Sequence, residues 1–200
     1  MEIEVTEKIQ KANLIEKPLD LVPNFKKYKS NTLEFQIESC KSCCLDNKVK
    51  TWIFDLFERN MKTIYEKSKS GWNKKEKLQE LFDERAYYIL VYNLDSPIGY
   101  CHYRFDMDFD NEVIYCYELQ IEDKFRRFGL GKFMMDILEC LCENLELEKV
   151  MLTVSKYNQT GLKFFKEKMK YTLDETDLND DDPSVDYEIL SKVFWEDEED

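Results

Sequence analysis

Arg126-Arg127-Phe128-Gly129-Leu130-Gly131 places two of the chain's five glycines within six residues, at the junction of two segments of different period. Upstream, Val113-Ile114-Tyr115-Cys116-Tyr117-Glu118-Leu119-Gln120-Ile121 reads as a strand. Downstream, Leu130, Phe133, Met134, Ile137, Leu138 and Leu141 recur at helical spacing. Glycines at such a turn let the backbone approach an anion closely, and the first N–H groups of the helix lack intrahelical acceptors. The helix dipole adds ~0.3–1 kcal/mol per negative charge at an exposed end. Lys124, Arg126, Arg127 and Lys132 surround the turn with cations. We read it as a pyrophosphate cradle, the other reading being an ordinary strand-to-helix turn. It lacks the Gly-Lys-Ser/Thr ending of a nucleoside-triphosphate loop and the three-glycine dinucleotide pattern, which disfavours both uses.

The flanking segments give the architecture. Leu33 to Glu38 alternates apolar and polar residues, as a half-buried strand does. Ile53, Leu56, Phe57, Met61, Ile64 and Tyr65 mark an amphipathic helix ending near Ser68, and Lys74 to Phe82 a second, more polar one. Ala86–Tyr92 and Ile98–Asp106 read as strands joined by a turn, Val150–Val154 as a parallel-type strand, Gln159–Met169 as a helix and Tyr187–Leu190 as a last strand. A meander followed by alternation with helices predicts an α/β fold: a mixed, mostly antiparallel central sheet with helices on both faces.

At 200 residues and 24.2 kDa the chain fits one domain. The division expected is an N-terminal arm over 1–30 (a short helix, then an extended stretch), a domain over 31–194 and an acidic tail over 195–200. With 43% hydrophobic residues a core can form, and no apolar run reaches the roughly 18 residues of a membrane helix. The net charge of −13 is unevenly placed: Asp174 to Asp200 carries thirteen acids against one base, Lys192. Such a segment repels nucleic acid and attracts cationic partners. Seven cysteines, an odd count without a secretory signal, read as reduced thiols. Cys40 and Cys43 have metal-knuckle spacing, but no second pair completes it and His102 is the sole histidine, so no metal is expected.

Arg-x-x-Gly-x-Gly after a strand resembles the acetyl-CoA loop of the GNAT superfamily of N-acetyltransferases. The resemblance implies that the strand before the loop splays from its neighbour and that acetyl-CoA is the cosubstrate. Its pantetheine arm would bond to the backbone of Leu119, Gln120 and Ile121, its diphosphate to Arg126, Arg127, Phe128, Gly129, Leu130, Gly131 and Lys132, with Asn158 beside the arm. Further stretches between Gly71 and Leu190 are similar to the histone-selective N-terminal acetyltransferases within that superfamily. They include Gly71-Trp72, Asp83 to Tyr88, Tyr103 to Asp106, Tyr115 to Glu118, Val150 to Val154 and Tyr187 to Leu190. That likeness implies transfer of acetyl to the α-amine of histone tails beginning Ser-Gly-Arg-Gly, with peptide contacts from Tyr65, Trp72, Asp106, Asp108, Tyr115, Tyr117, Thr153 and Tyr187. Three positions depart from it: Ser70 replaces a tryptophan, Asp108 a glutamate, and Phe164-Phe165 occupies the region where many members keep a tyrosine acid.

An α-amine of pKa ~8 is about one-tenth neutral at pH 7, a cost of roughly 1.4 kcal/mol against roughly 4.6 for a lysine amine. A modest carboxylate base therefore suffices. Glu118, next to the segment expected to hold pantetheine, is the candidate base, and Tyr117 the candidate acid. Asp106 and Asp108, two apart on a strand end, would share a face and meet the substrate's cations. The expected setting is a monomer in cytoplasm and nucleus, binding basic histone tails and neither nucleic acid nor membrane directly. A same-fold acetyltransferase of small amines or lysine, and a non-catalytic binding module, are the alternatives.

Overall fold

The structure, a computed structural model, describes residues 5–30, 33–178, 182 and 184–195. Eleven residues of β5 (Asn111–Ile121) form its axis. On one side lie, in order, β4 (Ser96–Asp108), β3 (Tyr87–Asn93), β2 (Leu33–Lys41) and β1 (Lys27–Ser30), each antiparallel to the next. On the other lie β6 (Lys149–Ser155), β8 (Tyr187–Val193) and β7 (Thr172–Leu173). Among the described strands only β5 and β6 pair in parallel. The mixed, mostly antiparallel sheet is thus as expected, with β1 and β7 as additional edge strands. Neither has alternation long enough to register in sequence.

Alternation along β3 splits the interior into two cores. Tyr87, Ile89 and Val91 face one cluster and Tyr88 and Leu90 the other. α4 (Leu130–Asn144) buries Met134, Ile137, Leu138 and Leu141 in the first cluster, and α1 (Glu7–Leu14) adds Ile9 and Ala12. The second is covered by α2 (Asn47–Tyr65), through Ile53, Leu56 and Phe57, and by α3 (Lys74–Leu81), through Leu81. The Asp46 side chain caps α2 by accepting from Val49 N at 2.8 Å, so this helix begins a turn and a half before its first periodic apolar residue.

Residues 5–30 are integrated into this body. Leu19 and Val22 join the first core, two 3-10 turns (Pro18–Leu21 and Pro23–Phe25) replace the expected extended stretch, and β1 pairs with β2. The helix expected over 159–169 is α5 (Gln159–Lys163) continued by a π-turn, Phe164–Lys168. Of the 195–200 tail, only Trp195 lies within the described residues. All seven cysteines are free thiols, and no described helix is long and apolar enough to cross a membrane.

Candidate active site

β5 and β6 pair from Val113↔Lys149 to Cys116↔Leu152 and then part. Beyond that point a cavity of about 290 Å³ opens, lined on one side by Tyr117 to Gln120 and on the other by Thr153 to Ser155 and Asn158. Met61, Ile64 and Tyr65 of α2 and Lys77 and Glu80 of α3 close it from the second core's side. A β-bulge sits at the same place. Cys116 pairs with Tyr103 and Glu118 with His102, leaving Tyr117 as an extra residue. Because of it, two consecutive side chains, Tyr117 and Glu118, share the face that looks to α2 and α3.

Glu118 is only 5% exposed. One carboxylate oxygen lies 2.6 Å from Lys77 Nζ, and the other accepts from Gln120 Nε2 at 2.9 Å. Gln120 Oε1 in turn accepts from Asn60 Nδ2 at 2.9 Å, which fixes the carboxylate plane from α2. Burial pushes the Glu118 pKa above the ordinary carboxylate range, while Lys77 and Gln120 pull it back. Lys77 is itself 7% exposed, bonded to Glu80 and, at 3.2 Å, to Tyr65 Oη. Burial works against its charge, but Glu118, Tyr65 and Glu80 together hold the ammonium above the usual lysine range. Tyr65 is pushed up to about 12 by burial, so it meets Lys77 as a neutral phenol.

Tyr117 stacks on the His102 ring at 5.0 Å, with the Arg104 guanidinium 4.4 Å from its centroid. Arg104 Nη2 donates to the Glu80 carbonyl at 2.8 Å, tying this stack to α3. Burial raises the Tyr117 pKa, so its O–H is a proton donor at neutral pH. Tyr115 Oη bonds Thr153 Oγ1 across the gap between the strands.

The glycine turn lies at the far end of β5. Gly129 has φ +89°, and a β-carbon there would lie 2.3 Å from Tyr28 Oη, which donates to the Phe128 carbonyl at 2.9 Å. A β-carbon on Gly131 would meet Phe164 at 3.3 Å. Phe133 N makes the bond to Gly129 O, so the N–H groups of Leu130, Gly131 and Lys132 precede the helical ladder and are free to meet an anion. This backbone fits a diphosphate, and the unpaired edge of β5 fits an amide-bearing arm. The cations are less committed to it than the sequence suggests: Arg126 pairs with Asp123 at 2.8 Å and donates to Ile121 O, and Lys132 pairs with Asp136 at 2.6 Å. Arg127 takes positive φ (+68°) beside the turn. Asn158 lines the cavity, while its Oδ1 caps α5 through Gly161 N at 3.0 Å.

Tyr65, Tyr115, Tyr117, Glu118, Leu119, Gln120, Thr153, Asn158 and Tyr187 are therefore brought to one cavity. Three expected peptide contacts are not. Trp72 stacks on Phe57 at 5.7 Å and meets Tyr65 edge-on, which makes it a support of the second core. Asp106 faces Arg85 at 3.8 Å and Asp108 faces Lys149 at 3.8 Å, so the two acids engage separate cations away from the cavity wall. Lys77, Glu80, Ser155 and Asp186 line the cavity and were not singled out from sequence. For Lys77 a signal existed: it lies four residues before the buried Leu81, on the same helix face.

A splayed strand pair beside a backbone anion cradle defines an acyl-CoA-dependent transferase. The sequence profile described as the acetyltransferase (GNAT) family matches residues 52–171, and the chain belongs to that family, with acetyl-CoA as cosubstrate. Among solved structures it is similar to Arabidopsis thaliana Naa50 in complex with the bisubstrate analogue CoA-Ac-MVNAL, at 16% identity over 79% of this chain and 99% of that one, TM-score 0.54. It is also similar to the NatC complex bound to Gag peptide and CoA, at 15% identity over 80% and 99%, TM-score 0.54. A GNAT acetyltransferase from Elizabethkingia anophelis with acetyl-CoA bound matches at 13% identity over 80% and 98%, TM-score 0.53. At these identities the likeness is one of fold.

Proposed function

We propose that this acetyltransferase acts on protein N-termini and is of the NatD kind, moving acetyl from acetyl-CoA to the α-amine of histone tails beginning Ser-Gly-Arg-Gly. The observation that carries this reading is the buried Glu118 carboxylate, held at the floor of a cavity whose other walls bear four tyrosines (Tyr65, Tyr115, Tyr117 and Tyr187) and the acids Glu80 and Asp186. The thioester supplies the acyl group. Glu118 takes the proton lost by the attacking amine, directly or through water, and its raised pKa brings it nearer neutral pH, where a general base works best. The Tyr117 O–H offers the departing thiolate a proton. An α-amine needs about 3 kcal/mol less deprotonation work than a lysine amine at pH 7, which matches a single carboxylate base. The fold similarity to N-terminal acetyltransferases, one with a peptide-bearing analogue, is consistent with this substrate class. The acid-rich segment from Asp174 onward suits a basic tail, and a monomer shared between cytoplasm and nucleus would meet histones before and after import.

The test is incubation with acetyl-CoA and Ser-Gly-Arg-Gly peptides, free or N-terminally blocked, with polyamines in parallel and the acetylated position read by mass spectrometry. The expected product is α-acetylated free peptide alone. Turnover of polyamines or of lysines in the blocked peptide would assign a different acceptor, and no product with acetyl-CoA bound would assign a binding role. Raising ionic strength is expected to raise the peptide KM, since screening removes long-range attraction; an unchanged KM would exclude electrostatic steering by the acidic segment.

A further inference from the structure

Lys77 is a buried cation inside a catalytic cavity, and neither the acyl group nor the amine requires one there. Its Nζ lies 2.6 Å from Glu118 Oε1, bonds Glu80 and Tyr65 Oη, and sits 4.6 Å from the Phe57 ring centroid. Those contacts occupy the ammonium from four sides and hold its protons, so it is poorly placed to act as a nucleophile or acid. We infer that Lys77 is a positioning residue that keeps the buried Glu118 carboxylate ionised and aimed into the cavity. The inference rests on the reading of Glu118 as the base and extends it to the residue that makes such a base workable.

The surroundings leave this task to Lys77. On the face that Glu118 shares, α2 brings Tyr65, β3 Tyr88, β4 Tyr100, His102 and Arg104, β5 Tyr117 and Gln120, the latter held by Asn60, and α3 Lys77 and Glu80. Tyr65, Tyr88 and Tyr100 are neutral phenols, their pKa values raised by burial, and His102 is kept neutral by burial next to Arg104. Arg104 is turned to Tyr117, Asp83 and the Glu80 carbonyl. Lys77 alone among these cations touches the carboxylate. Glu80, 37% exposed at the side chain, holds Lys77 from the solvent side and so completes a carboxylate–ammonium–carboxylate row running from the floor of the cavity outward.

The test compares Lys77→Met, Lys77→Arg, Glu118→Gln and the Lys77→Met/Glu118→Gln double variant, by acetyl-CoA calorimetry, thermal unfolding and the pH dependence of kcat. In Lys77→Met the acid limb of kcat should move up by about 1–3 pH units, the range by which a neighbouring cation lowers a carboxylate pKa. Lys77→Arg should restore the wild-type limb. If Lys77→Met fails to fold because Glu118 is left charged and unpaired, the double variant should recover the melting transition. That coupling supports the inference without any activity measurement. Loss of kcat in Glu118→Gln together with an unmoved acid limb in Lys77→Met would overturn the inference while leaving the base in place. A double variant as unstable as Lys77→Met would overturn it too, since Lys77 would then serve packing alone. An undiminished kcat in Glu118→Gln is a different failure, one of the proposed base itself.

Discussion

Two buried lysines flank opposite ends of the β5–β6 pair, and they are used in opposite ways. Lys149, where the strands are still joined, bonds Asp174 at 2.9 Å, with Asp108 and Glu175 at 3.8 and 3.5 Å. Burial works against the Asp174 charge, but bonds from Thr176, Ser191 and Lys149 overcome it and bring the carboxyl down to about 2. Lys77, where the strands have parted, faces Glu118, whose pKa is moved up by burial despite the same kind of partner. The difference lies in the other donors. Asp174 receives a backbone N–H and two hydroxyls besides its lysine, and Glu118 a single amide. A fully satisfied carboxylate is locked in its charged form, and an under-satisfied one is left able to accept a proton.

The contrast breaks if the two acids can exchange roles. Glu118→Gln should lower kcat by ~10²–10⁴-fold, the range for a lost general base, with acetyl-CoA affinity unchanged by calorimetry; a kcat within a few-fold of wild type would end the distinction. Asp174→Asn should do the reverse, costing ~1–3 kcal/mol of stability through weakened bonds from Lys149, Thr176 and Ser191, with Asp108 and Glu175 still beside Lys149, and leaving kcat near wild type in the folded fraction. Titration sharpens the point. The folded pKa of Asp174, about 2, lies below its ordinary 3.8, so its stabilisation is complete above the unfolded value and vanishes as pH falls through the folded one. Unfolding midpoints should therefore fall between about pH 4 and 2, and that part of the fall should be absent in Asp174→Asn. The smallest effect should come from a site that touches neither lysine. Gly129→Ala should cost ~1–2 kcal/mol for its left-handed backbone and weaken acetyl-CoA binding several-fold, and adding Tyr28→Phe should relieve the clash but not the backbone strain.

The sequence carried the sheet and the glycine turn because both rest on local pattern. Alternation marked β2, apolar and β-branched or aromatic runs bounded by turns marked β3 to β6 and β8, and Gly129 and Gly131 sit where a side chain would meet Tyr28 and Phe164. The edge strands escaped notice: Lys27–Ser30 buries little, and Thr172–Leu173 is two residues held by a partner far along the chain. Within the cavity, the position of Glu118 was legible from its strand, and its pairing with Lys77 was not, since that contact spans α3 to β5 and no spacing encodes it. Asp106 and Asp108 misled for the same reason. Their shared face was readable, but the claims of Arg85 and Lys149 on them depend on how distant segments dock.

The unpaired Tyr117 has a consequence for anyone reshaping this enzyme. One surplus residue is all that points a phenol and a carboxylate the same way, and a shorter, more regular ribbon would part them. Excising that single position would mend the ladder with β4 and leave the other side chains of β5 on their present faces, since Cys116 already pairs with Tyr103 and Glu118 with His102. The surplus residue is itself the phenol, so the ribbon can be regular or it can set the two side chains together, and not both.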